Sequence, residues 1–392
     1  MTSDQPALDS DAQTAAPPSA PLLSAPLSSA PSLSPPLLPA PTLSAPRSTS
    51  SFATPPVVLV SASPAPSPAS SARLPLEPMD PQIRSIQPGG GVVIRLEQNW
   101  GRLRRWYLKA LRPRYRSRML QTRRGSYNPC PHEVLDPRDL KFHRNQGGYY
   151  WEPQDDPFTW RDRLPFARVG LAELIVIGGG ALVAALLLFR IAFWISSTGG
   201  RVTVCLLALA LAVIAGLVVW FFRNPRRQVP TGAGVVVAPA DGKIVTIEEV
   251  TDDEFSGGRA ICVGIFLSIF NVHINRSPVR ARVIGLRYRR GKMLNALRPE
   301  SARENEQLAI RIEEESAPFR RMTVRQITGQ FARRIVCWLK PGDVLNAGEQ
   351  FGMIKLGSRT ELVLPWESGL EISVKVGEKV LAGSTIVARY RN

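Results

Sequence analysis

The chain has 392 residues, and its 49 Lys and Arg outnumber 32 Asp and Glu, a formal net charge of +17. At roughly 100–200 residues per domain this length allows two or three domains, but most of the basic excess and most of the 35 prolines lie in the first part of the chain. Four cysteines (130, 205, 262, 337) form no CxxC pair, which excludes a disulfide-stapled secreted scaffold and a cysteine-type zinc site; the uneven composition also excludes a simple soluble single-domain enzyme and a wholly disordered chain.

Residues 1–100 begin as repeats of Pro, Ser, Ala and Leu, as in PPLLPAPTLSAPRS. Proline removes backbone donors, and no apolar periodicity is present to nucleate a core, so we expect a disordered, partly polyproline-like tail. It has neither the basic start nor the continuous apolar run of a signal peptide. Residues 101–168 change character. The stretch GRLRRWYLKALRPRYRSRMLQTRRG carries ten Lys/Arg and no acid, interleaved with Trp106, Tyr107 and Tyr115. Such a pattern suits a nucleic-acid patch and equally a segment lying on an anionic lipid surface.

The apolar runs that come next in the chain favour lipid. Leu171–Phe189 is apolar apart from Glu173, and Val202–Phe222 is uncharged. At 1.5 Å per residue each helix would be about 28–32 Å long, the thickness of a bilayer's hydrocarbon core. Two helices buried in a large soluble core are the alternative, but the linker is short and basic residues flank both stretches. Residues 169–222 therefore read as a two-helix transmembrane hairpin. Arginines before it and Arg223, Arg226 and Arg227 after it, against Arg190 and Arg201 in the loop, predict that both ends lie in the cytoplasm at the cell membrane.

Residues 223–392 read as one mostly β (α+β) domain. Short runs rich in Val and Ile, namely 235–237, 243–247, 260–267, 279–284, 323–327, 335–339 and 361–364, are separated by Gly, Pro and Asp-Gly turns. Residues 301–312 are a helix candidate. The segment KPGDVLNAG from Lys340 echoes KVGEKVLAG from Lys375. With APADGK at 238–243 this suggests a biotinyl/lipoyl-like β-sandwich (barrel-sandwich hybrid) element; two ordinary tight turns are the alternative.

Three stretches of this domain carry candidate chemistry. PADGK presents Asp241 in a turn, although Asp-Gly is a common turn pair without any chemical role. FLSIFNVHINRSP holds His273, the only histidine after residue 143, and a lone histidine among apolar residues is more often structural. FGMIKLGSR places Gly357-Ser358 after an apolar strand. No metal-ligand spacing and no phosphate-cradling glycine loop occurs, so we expect no metal and no nucleotide.

Taken in order, FFRNPRR, APADGK, FLSIFNVHINRSP, GKMLNA, ENEQ and FGMIKLGSR strongly resemble the phosphatidylserine decarboxylase family in its short, archaeal-type form, from about Trp220 to Asn392. The resemblance implies a pyruvoyl-dependent lyase that converts phosphatidylserine to phosphatidylethanolamine and CO2. It implies a proenzyme that cuts itself between Gly357 and Ser358 into a large chain, 1–357, and a small chain, 358–392, with the covalent pyruvoyl cofactor derived from Ser358. Under it, Ser358 is the nucleophile, and His273, oriented by Asp241, is the natural base. His273 is also the candidate acid that returns a proton after CO2 leaves. Asn295 and Glu304 match family positions near the site. Arg333 and Arg334 are candidates for the lipid phosphodiester, or a solvated basic pair. The sequence departs from long-form bacterial relatives in carrying Arg276 where they have a second histidine, and Asn271 where they have Asp, which leaves the base for self-cleavage open. The implied partners are phosphatidylserine and an anionic membrane surface, with no nucleic acid; a homo-oligomer stays open. Two other classes compete: a membrane-tethered carrier, which needs an exposed lysine at a hairpin tip and has only Lys355 near one, and a basic nucleic-acid-binding membrane protein resting on 101–125.

Overall fold

The structure is a computed structural model, and it describes residues 72–122, 142–146, 159–330, 334–355 and 357–391. The expectation of disorder for residues 1–71 lies outside the described residues. From residue 72 onward the expectation fails. Residues 72–91 form no helix or strand, yet they run along the β domain and bond to it. The Glu77 N–H donates to the Ile284 carbonyl (2.9 Å), the Leu74 N–H to Glu313 (2.8 Å) and the Tyr288 N–H to Asp80 (2.8 Å). Ile83 and Ile86 are buried. Such a segment shows no helical or strand periodicity, because local turns and partners distant in sequence hold it rather than a repeating ladder.

A helix then runs over Val92–Leu111, beginning before the basic region, and a second over Pro113–Thr122. Leu96, Trp100, Leu103, Tyr107 and Leu111 recur at helical spacing and are all exposed, so the first helix shows an uncovered apolar stripe flanked by arginines.

Two helices, Arg168–Ala192 and Thr198–Phe221, are long and apolar enough to cross a membrane. The first contains a π-helical turn over Leu174–Gly179, at the glycine-rich stretch where a widened turn costs least. Gly178 lies against Val218, and Gly170 leaves no room for a Cβ beneath the Phe222 ring, so the helices approach closely at their feet. There the chain entering the hairpin pairs with the chain leaving it. Phe166 bridges Arg223, and the Ala167 N–H donates to the Phe222 carbonyl (2.8 Å). Both ends of the hairpin are therefore on one side.

The remainder is α+β and dominated by antiparallel strands: β1 Val235–Val237, β2 Gly242–Asp253, β3 Gly258–Leu267, β4 Ile274–Arg276, β5 Ala281–Arg289, β6 Gln307–Glu314, β7 Arg321–Thr328, β8 Arg334–Cys337, β9 Val344–Leu345, β10 Gln350–Lys355, β11 Ser358–Pro365, β12 Leu370–Ile372, β13 Lys379–Val380 and β14 Ile386–Tyr390. The main sheet has the order β13-β2-β3-β11-β7-β6-β5-β9, and two three-stranded sheets, β4-β10-β8 and β1-β14-β12, stand beside it. The 301–312 helix candidate is corrected: only Ser301–Glu304 is helical, and β6 comes next. Leu308, Ile310 and Ile312 are buried while Gln307, Ala309 and Arg311 are not, a period of two that belongs to a strand.

The sequence echo is a structural one. The Gly342 N–H donates to the Val283 carbonyl and the Val283 N–H to the Asp343 carbonyl; equivalently, Gly377 donates to Ile244 and Ile244 to Glu378. The two copies place β9 and β13 at opposite ends of the eight-stranded order. Their second glycines, Gly348 and Gly383, meet, a Cβ on Gly383 falling 3.2 Å from the Gly348 Cα. The sheet thus curls into a half-barrel whose end turns touch. Its main core includes Ile244, Val263, Ile265, Leu286, Ile310 and Leu362. A second core joins the hairpin to the domain, with Phe221 and Phe222 packed among Ile86, Val272, Ile274 and Met353.

Candidate active site

Ser358 opens β11 between two neighbours, opposite Leu267 on β3 and Thr328 on β7. It is fully buried, and its Oγ has no hydrogen-bond partner. The residue before it, Gly357, has φ +54, the left-handed region that costs about 1–2 kcal/mol with a side chain and nothing for glycine. The Gly357 carbonyl lies against Gly329, where a Cβ would come within 2.4 Å of its oxygen. The Gly-Ser pair is therefore a bend between β10 and β11, with the hydroxyl desolvated beside the bend.

The strand that pairs with Ser358 runs directly into the loop carrying His273. In that loop Asn271 Oδ1 accepts from the N–H (2.9 Å) and Oγ (2.8 Å) of Ser268, closing a tight turn. The Asn271 carbonyl then lies 2.9 Å from His273 Nδ1. A carbonyl only accepts, so Nδ1 carries the hydrogen and Nε2 presents a lone pair. Nε2 is buried without a partner. Burial, offset in part by the Asn271 bond, pushes the imidazole down to about 4, so it is neutral at neutral pH. Phe221, the last residue of the second hairpin helix, covers its ring at 4.6 Å between centroids.

The expectation that Asp241 orients His273 is corrected. Asp241 accepts from Arg227 (2.6 Å) and from the Ala382 N–H (2.8 Å), while burial raises its carboxyl above the usual range. The PADGK turn aims its carboxylate at the linker after the hairpin and at the turn between β13 and β14, where it ties together three segments. Arg276, standing where long-form relatives carry histidine, is likewise a clamp: its guanidinium donates to the carbonyls of Gly348 (2.9 Å) and Pro225 (3.2 Å) and to Asn224 (3.2 Å).

The three described residues among the four expected to bind substrate have separate partners. Asn295 is exposed and accepts from the Leu297 N–H (3.1 Å) in its own turn, though its neighbour Ala296 reaches Gly329 beside the Gly357 carbonyl. Glu304 is exposed and pairs with Lys292 (2.8 Å). Arg334 lies 3.5 Å from Glu173 of the first hairpin helix, so its charge is engaged there. Arg333 lies outside the described residues. The residue that positions this loop is Asn305, buried, which donates to the carbonyls of Leu294 (2.9 Å) and Thr328 (2.7 Å) and accepts from the Leu294 N–H (2.8 Å). ENEQ carries no local signal for it, since its partners Leu294 and Thr328 lie 11 and 23 positions away. Lys355, the lysine that the carrier reading needs exposed, is buried and ion-paired with Glu173.

Comparison with known proteins converges on the same segment. A family model described as phosphatidylserine decarboxylase matches residues 214–388. The protein named phosphatidylserine decarboxylase proenzyme from Rhodopirellula baltica is 55% identical over 252 residues, spanning 64% of this chain and 99% of its own length. That of Nitratidesulfovibrio vulgaris is 46% identical over 183 residues, 46% of this chain and 82% of its own. That of Carboxydothermus hydrogenoformans is 40% identical over 212 residues, 53% and 98%. Because the Rhodopirellula relative is matched along nearly its whole length at this identity, the chain belongs to the phosphatidylserine decarboxylase family.

Proposed function

We propose that this chain is a proenzyme that cuts itself between Gly357 and Ser358 and then decarboxylates phosphatidylserine to phosphatidylethanolamine. The observation that carries the reading is the pair of buried, unpartnered groups at the site: a hydroxyl that lacks an acceptor, Ser358 Oγ, and a lone pair that lacks a donor, His273 Nε2. Leaving both unsatisfied costs a protein about 1–3 kcal/mol each, and such costs collect where a residue is kept for chemistry. Self-cleavage uses both. The two do not bond each other as they stand, so they come within reach as cleavage begins: Nε2 takes the proton as Oγ attacks the Gly357 carbonyl. The carbonyl–nitrogen bond breaks as the ester bond forms, and the proton passes to the departing amine. Removal of the Ser358 α-proton then expels the Gly357 carboxylate, and water displaces the nitrogen as ammonia.

A pyruvoyl group fits residue 358, since it forms from Ser358 itself and the preceding glycine brings no Cβ to the bend. That group supplies a carbonyl that captures the substrate amine and an electron sink when CO2 leaves. His273 is placed by the Asn271 carbonyl to pass a proton back to the α-carbon. Its burial disfavours the charged form, so it hands the proton on rather than storing it. Purified protein incubated with phosphatidylserine vesicles is expected to form one phosphatidylethanolamine per CO2 released. Absence of both products would overturn the reading.

The two chains are held together after cleavage by β11, which stays paired with β3 and β7. Residues 223–392 form the catalytic domain, and the duplicated turn–strand units support a biotinyl/lipoyl-like element within it. The hairpin lies in the cell membrane with both ends and the domain in the cytoplasm, on the side that the flanking arginines select. The exposed stripe of the Val92–Leu111 helix rests on the anionic leaflet surface. Protease added to sealed vesicles checks this: the domain is digested in inside-out vesicles and protected in right-side-out ones, and the reverse pattern refutes the orientation.

A further inference from the structure

Glu173 is the one acid of the first hairpin helix, Arg168–Ala192, and a buried charge near the foot of a membrane helix is expensive and calls for a reason. It is buried, and its partner is Lys355, the last residue of β10. The Lys355 ammonium also donates to the Val169 carbonyl (3.3 Å) and sits over the Phe222 ring at 5.9 Å. These contacts come from the membrane hairpin. Arg334, directly across from Lys355 in the sheet, adds a second cation 3.5 Å from the same carboxylate. Two residues beyond Lys355 is Gly357. One residue further, Ser358 is fixed by two strands of the main sheet. The peptide to be cut therefore spans two anchored points, one held by the hairpin and the other by the sheet.

We infer that Glu173 is a positioning residue for self-cleavage: by holding Lys355 it fixes the approach of the Gly357 carbonyl to Ser358 Oγ, so that the proenzyme matures only when the membrane hairpin is seated on the domain. The inference rests on the self-cleavage reading above. Without the carboxylate, the buried Lys355 ammonium is left beside the like charge of half-buried Arg334, and it is driven toward water, carrying the end of β10 with it. Small displacements of a reacting carbonyl cost up to about a hundredfold in rate.

The test uses the full chain synthesised into membranes, following by gel the conversion of intact protein to 1–357 and 358–392. Glu173→Gln is expected to slow conversion at least about tenfold, and Glu173→Asp, which keeps the charge, to retain most of the wild-type rate. Because Glu173→Gln leaves a buried ammonium unpaired, the double variant Glu173→Gln/Lys355→Met removes both charges. It is expected to melt within a few degrees of wild type, yet to cut as slowly as Glu173→Gln alone, since the tether is still missing. Wild-type cleavage in either the single or the double variant overturns the inference. So does a slow rate that appears only together with a lowered melting temperature, or a Glu173→Asp chain as slow as Glu173→Gln. A wild-type chain that stays whole instead refutes the self-cleavage reading itself.

Discussion

Replacing Ser358 by alanine leaves the purified protein as one uncut chain that forms no phosphatidylethanolamine. The effect is expected to be complete rather than partial. The hydroxyl is the only oxygen that the Ser358 side chain brings to the bend, the site is closed to solvent around it, and in the proposed reaction the carbon skeleton of the same residue becomes the cofactor. Loss of Oγ removes the nucleophile, the ester and the pyruvoyl group in one step, whereas variants that merely disturb a catalytic geometry leave residual rate. Packing is little disturbed, because a buried hydroxyl with no hydrogen-bond partner gives up no bond when deleted. A denaturing gel separates the outcomes. Intact mass of the wild-type 358–392 fragment adds a second check, as a pyruvoyl start is lighter than a serine start by one ammonia. Appearance of both fragments from Ser358→Ala would end the assignment.

His273→Gln is expected to slow self-cleavage by roughly 10²–10⁴, the usual contribution of a positioned general base. The pH dependence of the wild type is the more discriminating measurement. An ordinary histidine loses its basic form below about 6.5, but burial holds this one down to about 4. Cleavage is therefore expected to keep its rate through pH values of about 6.5 and 5.5 and to decline only as pH approaches about 4. A half-maximal rate near 6.5 would refute a desolvated base. Stability changes over the same window. Between about pH 6.5 and 4 the unfolded chain binds a proton at this position and the folded chain does not, so stability falls as pH falls through that window. Above it the group contributes nothing. The full effect is on the order of 3 kcal/mol, and His273→Gln, which cannot titrate, is expected to flatten the acid limb of the melting-temperature profile.

The neighbourhood of these two residues explains what a linear reading can reach. Gly357-Ser358, the histidine loop and the apolar hairpin are each contiguous, and the chemistry of a bend, a turn or a lipid-spanning helix is written in adjacent residues. The orientation of His273 comes from two positions upstream, at Asn271, yet linear text points to Asp241, because an acid serving a histidine is the more familiar arrangement. Only the fold shows that Asp241 is occupied by Arg227 and Ala382. The strap at 72–91 is hidden for a related reason: its composition continues that of the tail, and its order depends on Ile284, Tyr288 and Glu313 far along the chain.

The sequence alone carries the family, the two long apolar helices and the β character of the domain, since each rests on local order: motif spacing, apolar run length and a period of two. It also carried the duplicated units, because turn glycines and short strands repeat as a unit. The tertiary structure alone decided who partners whom. That Glu173 meets Lys355, that Asp241 ties the linker to the turn before β14, and that Arg276 clamps the linker to Gly348 are consequences of chain segments brought together across more than a hundred positions in two of the three cases. Buried charges and hydrogen bonds are short-ranged and must be satisfied in space, so their partners are set by packing, and packing is a property of the folded chain.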